Sequence, residues 1–188
     1  LDPAASGTVY AATSHGVAVS VDFGATWRDA SQGLPTIPVS AVVLLPGSGR
    51  FLAGTFGSGM YQSSDRGATW SASAQGLSDA YIASITVDPS APNTIYAGTA
   101  HPFTGSNPEH VFKSTDGGSS WTQTSLNAGQ FSMDFIAINP ARPSQVVAGS
   151  SGVLGYLQSV DGGTSWSIIS TSAACGGRRS RSGGPRRA

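Results

Sequence analysis

Cysteine is almost missing from this chain: Cys175 stands alone. That excludes an internal disulfide framework and a zinc site built on cysteines. Glutamate is as scarce, with Glu109 its single representative. No apolar run approaches the roughly 18 residues that a bilayer span requires, so no membrane span is expected. The N-terminus carries no basic-plus-apolar leader and reads as lacking a signal peptide. Charged residues make up only 11%, whereas glycine numbers 25 and proline 11 among 188 residues. Long solvated helices are therefore disfavoured, and short strands with many turns are expected. The formal net charge of zero hides an asymmetry. Up to Ser172 there are five basic residues against all ten acids, a net of −5, and the other five arginines crowd into the last eleven positions.

What is present is repetition. All four tryptophans close the same octad: Ser20 to Trp27, Ser63 to Trp70, Ser114 to Trp121 and Ser159 to Trp166, each of the form S-x-D-x-G-x-[TS]-W. A second motif precedes each octad, as in LLPGSGRFLAGT from Leu44 and VDPSAPNTIYAGT from Val87. Its prolines (Pro3, Pro46, Pro89, Pro140) march with the octad aspartates (Asp22, Asp65, Asp116, Asp161) at spacings of 19, 19, 27 and 21 residues. A period of 43–51 residues is that of a four-stranded propeller blade.

Each repeat parses into strands A to D. Strand A is a nearly continuous apolar run (Val39–Leu45, Ile82–Val87, Phe135–Ile138), as suits a strand packed on both faces. Strand B follows the Pro turn (Phe51–Thr55, Thr94–Thr99, Val146–Ser150), and strand C leads into the octad (Met60–Ser63, Val111–Ser114, Leu154–Ser159). Strand D runs from the tryptophan to about Gln32-Gly33-Leu34 or Gln75-Gly76-Leu77. No stretch keeps helical periodicity for three turns.

The octad resembles the Asp-box, or bacterial neuraminidase repeat, over residues 1 to about 172. Its aspartates sit in the C–D hairpin turn, where a carboxylate accepts backbone N–H groups. The glycines two places on (Gly24, Gly67, Gly118, Gly163) permit positive φ, and Trp27, Trp70, Trp121 and Trp166 bury apolar surface under the turn. Four equivalent aspartates cannot share one site, so a structural role is expected for them. The resemblance implies an all-β fold: a partial, open β-propeller of four-stranded antiparallel blades at about 1–34, 35–77, 78–127 and 128–172. It extends to sialidases, xyloglucan-active glycoside hydrolases, sortilin-type receptors and photosystem II stability/assembly factors, so function must be argued from the site.

Because strands alternate, the A–B turns and octads share one face, and the B–C loops and D–A connections share the other. Ligands are expected on that second, loop face. Sialidase chemistry, as the resemblance implies it, needs three arginines, a Tyr–Glu pair and an aspartic acid. Arg50, Arg142, Arg66 and Arg28 all fall near octads or A–B turns, so that activity is excluded. Inverting glycosidases need two carboxyl groups about 6.5–9.5 Å apart. In the resembling xyloglucan enzymes an aspartate follows strand B, where this chain has Ser14, Phe56, Ala100 and Ser151. Asp79 and Asp134 lie on D–A connections and are weak catalytic candidates, with loop capping as the alternative.

The third repeat carries an eight-residue excess in its B–C loop, from His101 to His110, and such loops are where binding function gathers. Candidate ligand contacts are Tyr81, His101, Phe103, Glu109, His110, Phe131 and Phe135. His101, Glu109 and His110 are also weighed as metal ligands, but neighbours in an extended loop diverge, and no metal or cofactor is expected. The Gly/Arg-rich segment 173–188 breaks the repeat grammar and is expected to be disordered. Without interleaved aromatics it gives no specific nucleic-acid binding. The expected function is a non-catalytic binding or scaffolding module for a glycan or protein ligand, a fragment of a larger extracellular or periplasmic propeller. The alternative is a fragment of a xyloglucan-type glycoside hydrolase without its complete catalytic pair. No strand precedes the first repeat's Pro turn, so open edges and self-association are expected.

Overall fold

Short apolar runs separated by turn residues leave the backbone one ready way to pair its N–H and C=O groups, antiparallel association of consecutive strands. The computed structural model describes residues 2, 4–100, 109–126, 133–149 and 156–169, and every regular element within them is a strand. Four sheets follow one another along the chain. The first contains β1 (Val9–Thr13), β2 (Gly16–Ser20) and β3 (Arg28–Asp29). The second contains β4 (Val39–Leu44), β5 (Phe51–Thr55), β6 (Met60–Ser63) and β7 (Ser71–Ala72). The third contains β8 (Ile82–Val87), β9 (Ile95–Thr99), β10 (Val111–Ser114) and β11 (Thr122–Gln123). The fourth contains β12 (Phe135–Ile138), β13 (Val146–Gly149), β14 (Tyr156–Ser159) and β15 (Ser167–Ile169). Strands pair in sequence order, so each sheet is a meander. The first sheet has three strands: among the described residues nothing fills the place that β4, β8 and β12 hold in the others.

Sheets pack β1 on β4, β4 on β8 and β8 on β12, and among the described residues the series does not close into a ring. One apolar core lies in each seam. Val17, Val19, Phe51, Ala53 and Trp70 fill the first, Leu52, Ile82, Ile95, Phe112 and Trp121 the second, and Tyr96, Val111, Met133, Ile136 and Val146 the third. Alternation along β5 explains the division, since Phe51 and Ala53 enter one seam and Leu52 the next.

Two expectations change. Strand A was expected to be packed on both faces, yet β5 and β9 are buried at all five positions while β4, β8 and β12 are only partly so. The first strand is an edge of its sheet beside an unclosed axis, whereas the second has strands on both edges and sheets on both faces. The fourth strands are also shorter than expected, two or three residues each. The chain leaves the sheet there to stitch the next seam. Trp70 N–H donates to Gln32 O at 2.9 Å, and Trp121 N–H to Gln75 O at 2.8 Å. The following glycines, Gly33 and Gly76, have φ of +92 and +79, and a Cβ on either would lie 2.2 Å from the tryptophan carbonyl oxygen.

Glycines let the sheets approach closely at the seams. A Cβ on Gly54 would stand 2.5 Å from Ile82 Cγ2, and one on Gly98 would stand 2.5 Å from Met133 O and 2.7 Å from its Cβ. At the corresponding place in β1 the chain has Ala12, packed against the core that holds the smaller Val39. In the fourth sheet the equivalent Gly149 is covered by its own sheet's Phe135 and Tyr156, whose rings reach 2.6 and 2.7 Å from where a Cβ would be.

Candidate functional site

The octad turns are built alike. In each, one aspartate oxygen accepts the hydroxyl of the serine two residues before it and the N–H of the residue four after it, the latter at 2.8–2.9 Å. Its other oxygen accepts the hydroxyl of Thr26, Thr69, Ser120 or Ser165. The serine hydroxyl in turn accepts the N–H of Gly24, Gly67, Gly118 or Gly163. These hydroxyl and amide donors hold Asp22, Asp65, Asp116 and Asp161 down at pKa values of about 2. A general acid needs the opposite shift.

The fourth octad position also takes positive φ: 61° at Phe23, 59° at Arg66, 72° at Gly117 and 70° at Gly162. Two successive left-handed residues are the signature of a tight hairpin turn. The tryptophans fall into two pairs. Trp70 and Trp121 are buried, and their indole N–H groups cross the seam to Ala30 O and Ser73 O. Trp27, with no sheet before it among the described residues, is 47% exposed and bonds its own turn at Gly24 O. Trp166 likewise donates to Gly163 O.

Clefts of about 340 and 240 Å³ lie on this octad face, in the third and first seams. The larger is walled by hydroxyls of Ser120, Thr124, Ser125 and Thr164 and by Lys113, whose Nζ donates to Gly162 O at 2.8 Å. Tyr96 OH donates to the same carbonyl, and burial pushes that phenol up to about 12. These groups tie adjacent sheets together.

On the loop face, Asp79 is buried and its Oδ1 accepts Tyr81 N–H at 2.9 Å, holding the turn into β8. Asp134 is half-buried just before β12. Glu109, which the sequence suggests as an exposed loop contact, is instead buried, and its Oε2 accepts Thr99 Oγ1–H at 2.9 Å. The chain re-enters the sheet at this point, and a buried carboxylate there needs a donor. His110 turns the other way, with Nδ1 2.9 Å from Gln123 Nε2. His101, Phe103 and Phe131 lie outside the described residues. Among the described residues no group of three or more His, Cys, Asp or Glu side chains gathers to hold a metal, and no helix is long and apolar enough to cross a membrane.

The described aromatics of this face form pairs. Tyr81 packs edge-on to Phe56 at 5.3 Å. Phe135 packs against Tyr156 at 5.6 Å, with the two rings 37% and 42% exposed. Neither Phe56 nor Tyr156 is among the ligand contacts read from the sequence. Tyr156 could have been found from register, because it stands directly across Gly149 from Phe135. Where the resemblance implies an aspartate after strand B, Phe56 is half-buried, Ala100 is buried, and the Ser14 hydroxyl meets His15 Nδ1. Ser151 lies outside the described residues.

No protein-family model matches the chain, and no curated protein matches it. Solved structures do. An ancestral GH74 enzyme superposes with a TM-score of 0.76 at 26% identity, over 90% of this chain and 23% of its own. The GH74 enzyme of Niastella koreensis gives 0.76 at 20% identity, over 92% of this chain and 29% of its own. YCF48 from Cyanidioschyzon merolae gives 0.60 at 16% identity, over 90% and 58%. The chain thus spans about a quarter of the length of these GH74 enzymes. With its four successive antiparallel meanders, it has an all-β propeller fold and forms an open arc of one.

Proposed function

We propose that the octads are Asp-boxes and that the chain is a non-catalytic binding or scaffolding segment of a larger extracellular or periplasmic propeller. Its blades run over about 1–34, 35–77, 78–127 and 128–172, with 173–188 as a basic tail. The ligand, a glycan or a protein, is taken on the loop face. The observation that carries this reading is the identity of the residues after the second strands: Phe56 and Ala100 offer no carboxylate. Asp79 and Glu109 are buried and engaged as hydrogen-bond acceptors within the scaffold. The exposed Phe135–Tyr156 pair provides a stacking surface of the kind that sugar rings and aromatic peptide side chains use. A protein ligand is in keeping with the YCF48 structure described as bound to a D1 peptide.

The likeness to GH74 enzymes, among them a xyloglucanase from Xanthomonas campestris, favours a second reading. In it the chain is part of a glycoside hydrolase, with Asp79 and Asp134 as its nearest approach to a catalytic pair. One preparation tested on a glycan array and on xyloglucan and β-glucan hydrolysis separates the two. Binding without release of reducing ends is expected. Hydrolysis that Asp79→Asn or Asp134→Asn abolishes would overturn the proposal in favour of the second reading.

A further inference from the structure

Charge is divided between the two faces. The segments that join second to third strands, and fourth strands to the next sheet, hold Asp79, Glu109 and Asp134 but no lysine or arginine. All five basic residues up to Ser172 belong to the other face. Arg50 and Arg142 stand in turns between first and second strands, Arg66 in an octad and Arg28 directly after one. Lys113 turns its Nζ to Gly162 O of the fourth octad.

On the loop face, a fixed pair of rings bridges the second and third sheets. Phe56 and Tyr81 form an isolated antiparallel bridge, with their rings edge-to-face at 5.3 Å. Gly57 and Gly59 N–H both donate to Ala80 O, at 3.0 and 2.8 Å, and Ala100 N–H donates to Tyr81 O at 3.1 Å. The backbone beneath the rings is thereby tied to both sheets. The rings are half-buried, and Gly57, Ser58 and Ser78, exposed beside them, are too small to cover them. The three carboxylates are wired to this platform. Asp79 Oδ1 accepts Tyr81 N–H at 2.9 Å, and Glu109 Oε2 accepts the hydroxyl of Thr99, the residue before Ala100. Asp134 follows Met133, whose N–H donates to Thr99 O at 2.8 Å.

Asp79 Oδ1 and Glu109 Oε2 are spent on the scaffold, so they are poorly placed to grip the hydroxyls of a sugar. Their charge needs no such aim, and water screens a buried carboxylate weakly. Aromatic rings set among carboxylates, with no cation in competition, suit a guanidinium, which stacks flat on a ring and answers the field. We infer that the loop-face ligand is a peptide segment bearing arginine, seated on the Phe56–Tyr81 platform. This rests on the loop-face reading above and names the chemistry of its ligand.

The test titrates the isotope-labelled protein with capped Gly-Arg-Gly-Arg-Gly and follows it by NMR. Three comparison probes leave the protein untouched: the same peptide with citrulline in place of arginine, the same with glutamate, and a xyloglucan heptasaccharide. Shifts centred on Phe56, Gly57, Ala80 and Tyr81 are expected. Citrulline keeps the shape and loses the charge, so its peptide should bind at least about tenfold more weakly, and the glutamate peptide should not bind. Phe56→Leu and Tyr81→Leu, which keep apolar bulk, should each weaken the arginine peptide about fivefold or more. Asp134→Asn should weaken it and flatten its salt dependence. Equal binding of the arginine and citrulline peptides would overturn the inference, as would shifts centred on the octad aspartates. Tighter binding of the heptasaccharide at the platform would also overturn it, while leaving the loop-face reading standing. If no probe moves a loop-face resonance, that reading falls with the inference.

Discussion

Replacing Gly76 by alanine should loosen the second seam far more than the same change at Gly47, although both glycines have nearly the same φ, +79 and +75. The left-handed conformation costs an alanine about 1–2 kcal/mol, partly offset by the lower entropy of its unfolded chain. Gly47 has nothing within 4 Å of the new Cβ, so about 1 kcal/mol is the whole effect there. At Gly76 the Cβ would sit 2.2 Å from Trp121 O. Relief requires the two segments to part by about 1 Å, since ordinary non-bonded contacts begin near 3.3 Å. That separation breaks Trp121 N–H to Gln75 O (2.8 Å) and strains the indole bond to Ser73 O (3.1 Å). Each is worth about 1 kcal/mol net, and more when a buried donor is orphaned. Gly76→Ala should therefore cost about 3–4 kcal/mol, a drop in Tm on the order of 10 °C for a chain of this size. Thermal melts followed by circular dichroism and tryptophan fluorescence read it directly. Gly33→Ala, whose Cβ would meet Trp70 O at 2.2 Å, should repeat the effect in the first seam. Equal Tm shifts for Gly76→Ala and Gly47→Ala would refute the seam-latch argument.

Octad carboxylates held near 2, below their ordinary 3.8, add stability that is complete above about pH 4 and is lost as the pH falls toward 2. Tm should therefore be insensitive to these groups between pH 5 and 7 and drop between 4 and 2; an acid-insensitive Tm would contradict it. Asp65→Ala should lower Tm, while loop-face binding persists in the folded fraction. Trp121→Ala, deleting a side chain 4% exposed, should cost about 3–5 kcal/mol, whereas Trp27→Ala should cost about 1 kcal/mol or less because nearly half of that ring is already in water; chemical denaturation of both variants compares them. Phe135→Ala and Tyr156→Ala should each weaken glycan or peptide binding about tenfold with little change in Tm, read by calorimetric titration. Shortening the 101–110 loop should weaken the same binding if that loop contributes to it.

Most strands were legible because alternation and turn chemistry agree locally. Phe51–Thr55, Met60–Ser63, Ile82–Val87, Val111–Ser114 and Phe135–Ile138 appear with the limits read from the sequence. What was not legible depended on neighbours distant in the chain. Gln32-Gly33-Leu34 reads as the end of a strand until the next sheet's tryptophan is placed against it. Glu109 reads as a loop contact until Thr99 is seen to take it inward. The positive φ at Phe23 and Arg66 was signalled only by Gly117 and Gly162 at the same octad position, since a phenylalanine or arginine does not itself announce a left-handed turn. The aromatic pairs were partly legible: Tyr81 and Phe135 were singled out, but their partners depend on register across strands.

The close approaches in the seams bear on how four such similar repeats assemble in one order. Sequence repetition invites a blade to dock on the wrong neighbour during folding, a known hazard of repeat chains. Here the neighbours are keyed. The gap beside Gly98 accepts Met133, and the gap beside Gly54 accepts Ile82. Ala12, the counterpart of Gly54 and Gly98, adds a methyl group beside the core that holds Val39. A blade that brought the Met133 backbone as close to Ala12 as it lies to Gly98 would meet an overlap, since a Cβ there would stand 2.5 Å from Met133 O. That mismatch penalises the misassembled arc relative to the native one. A single methyl group at Ala12 thus marks the first sheet as the wrong partner for the last.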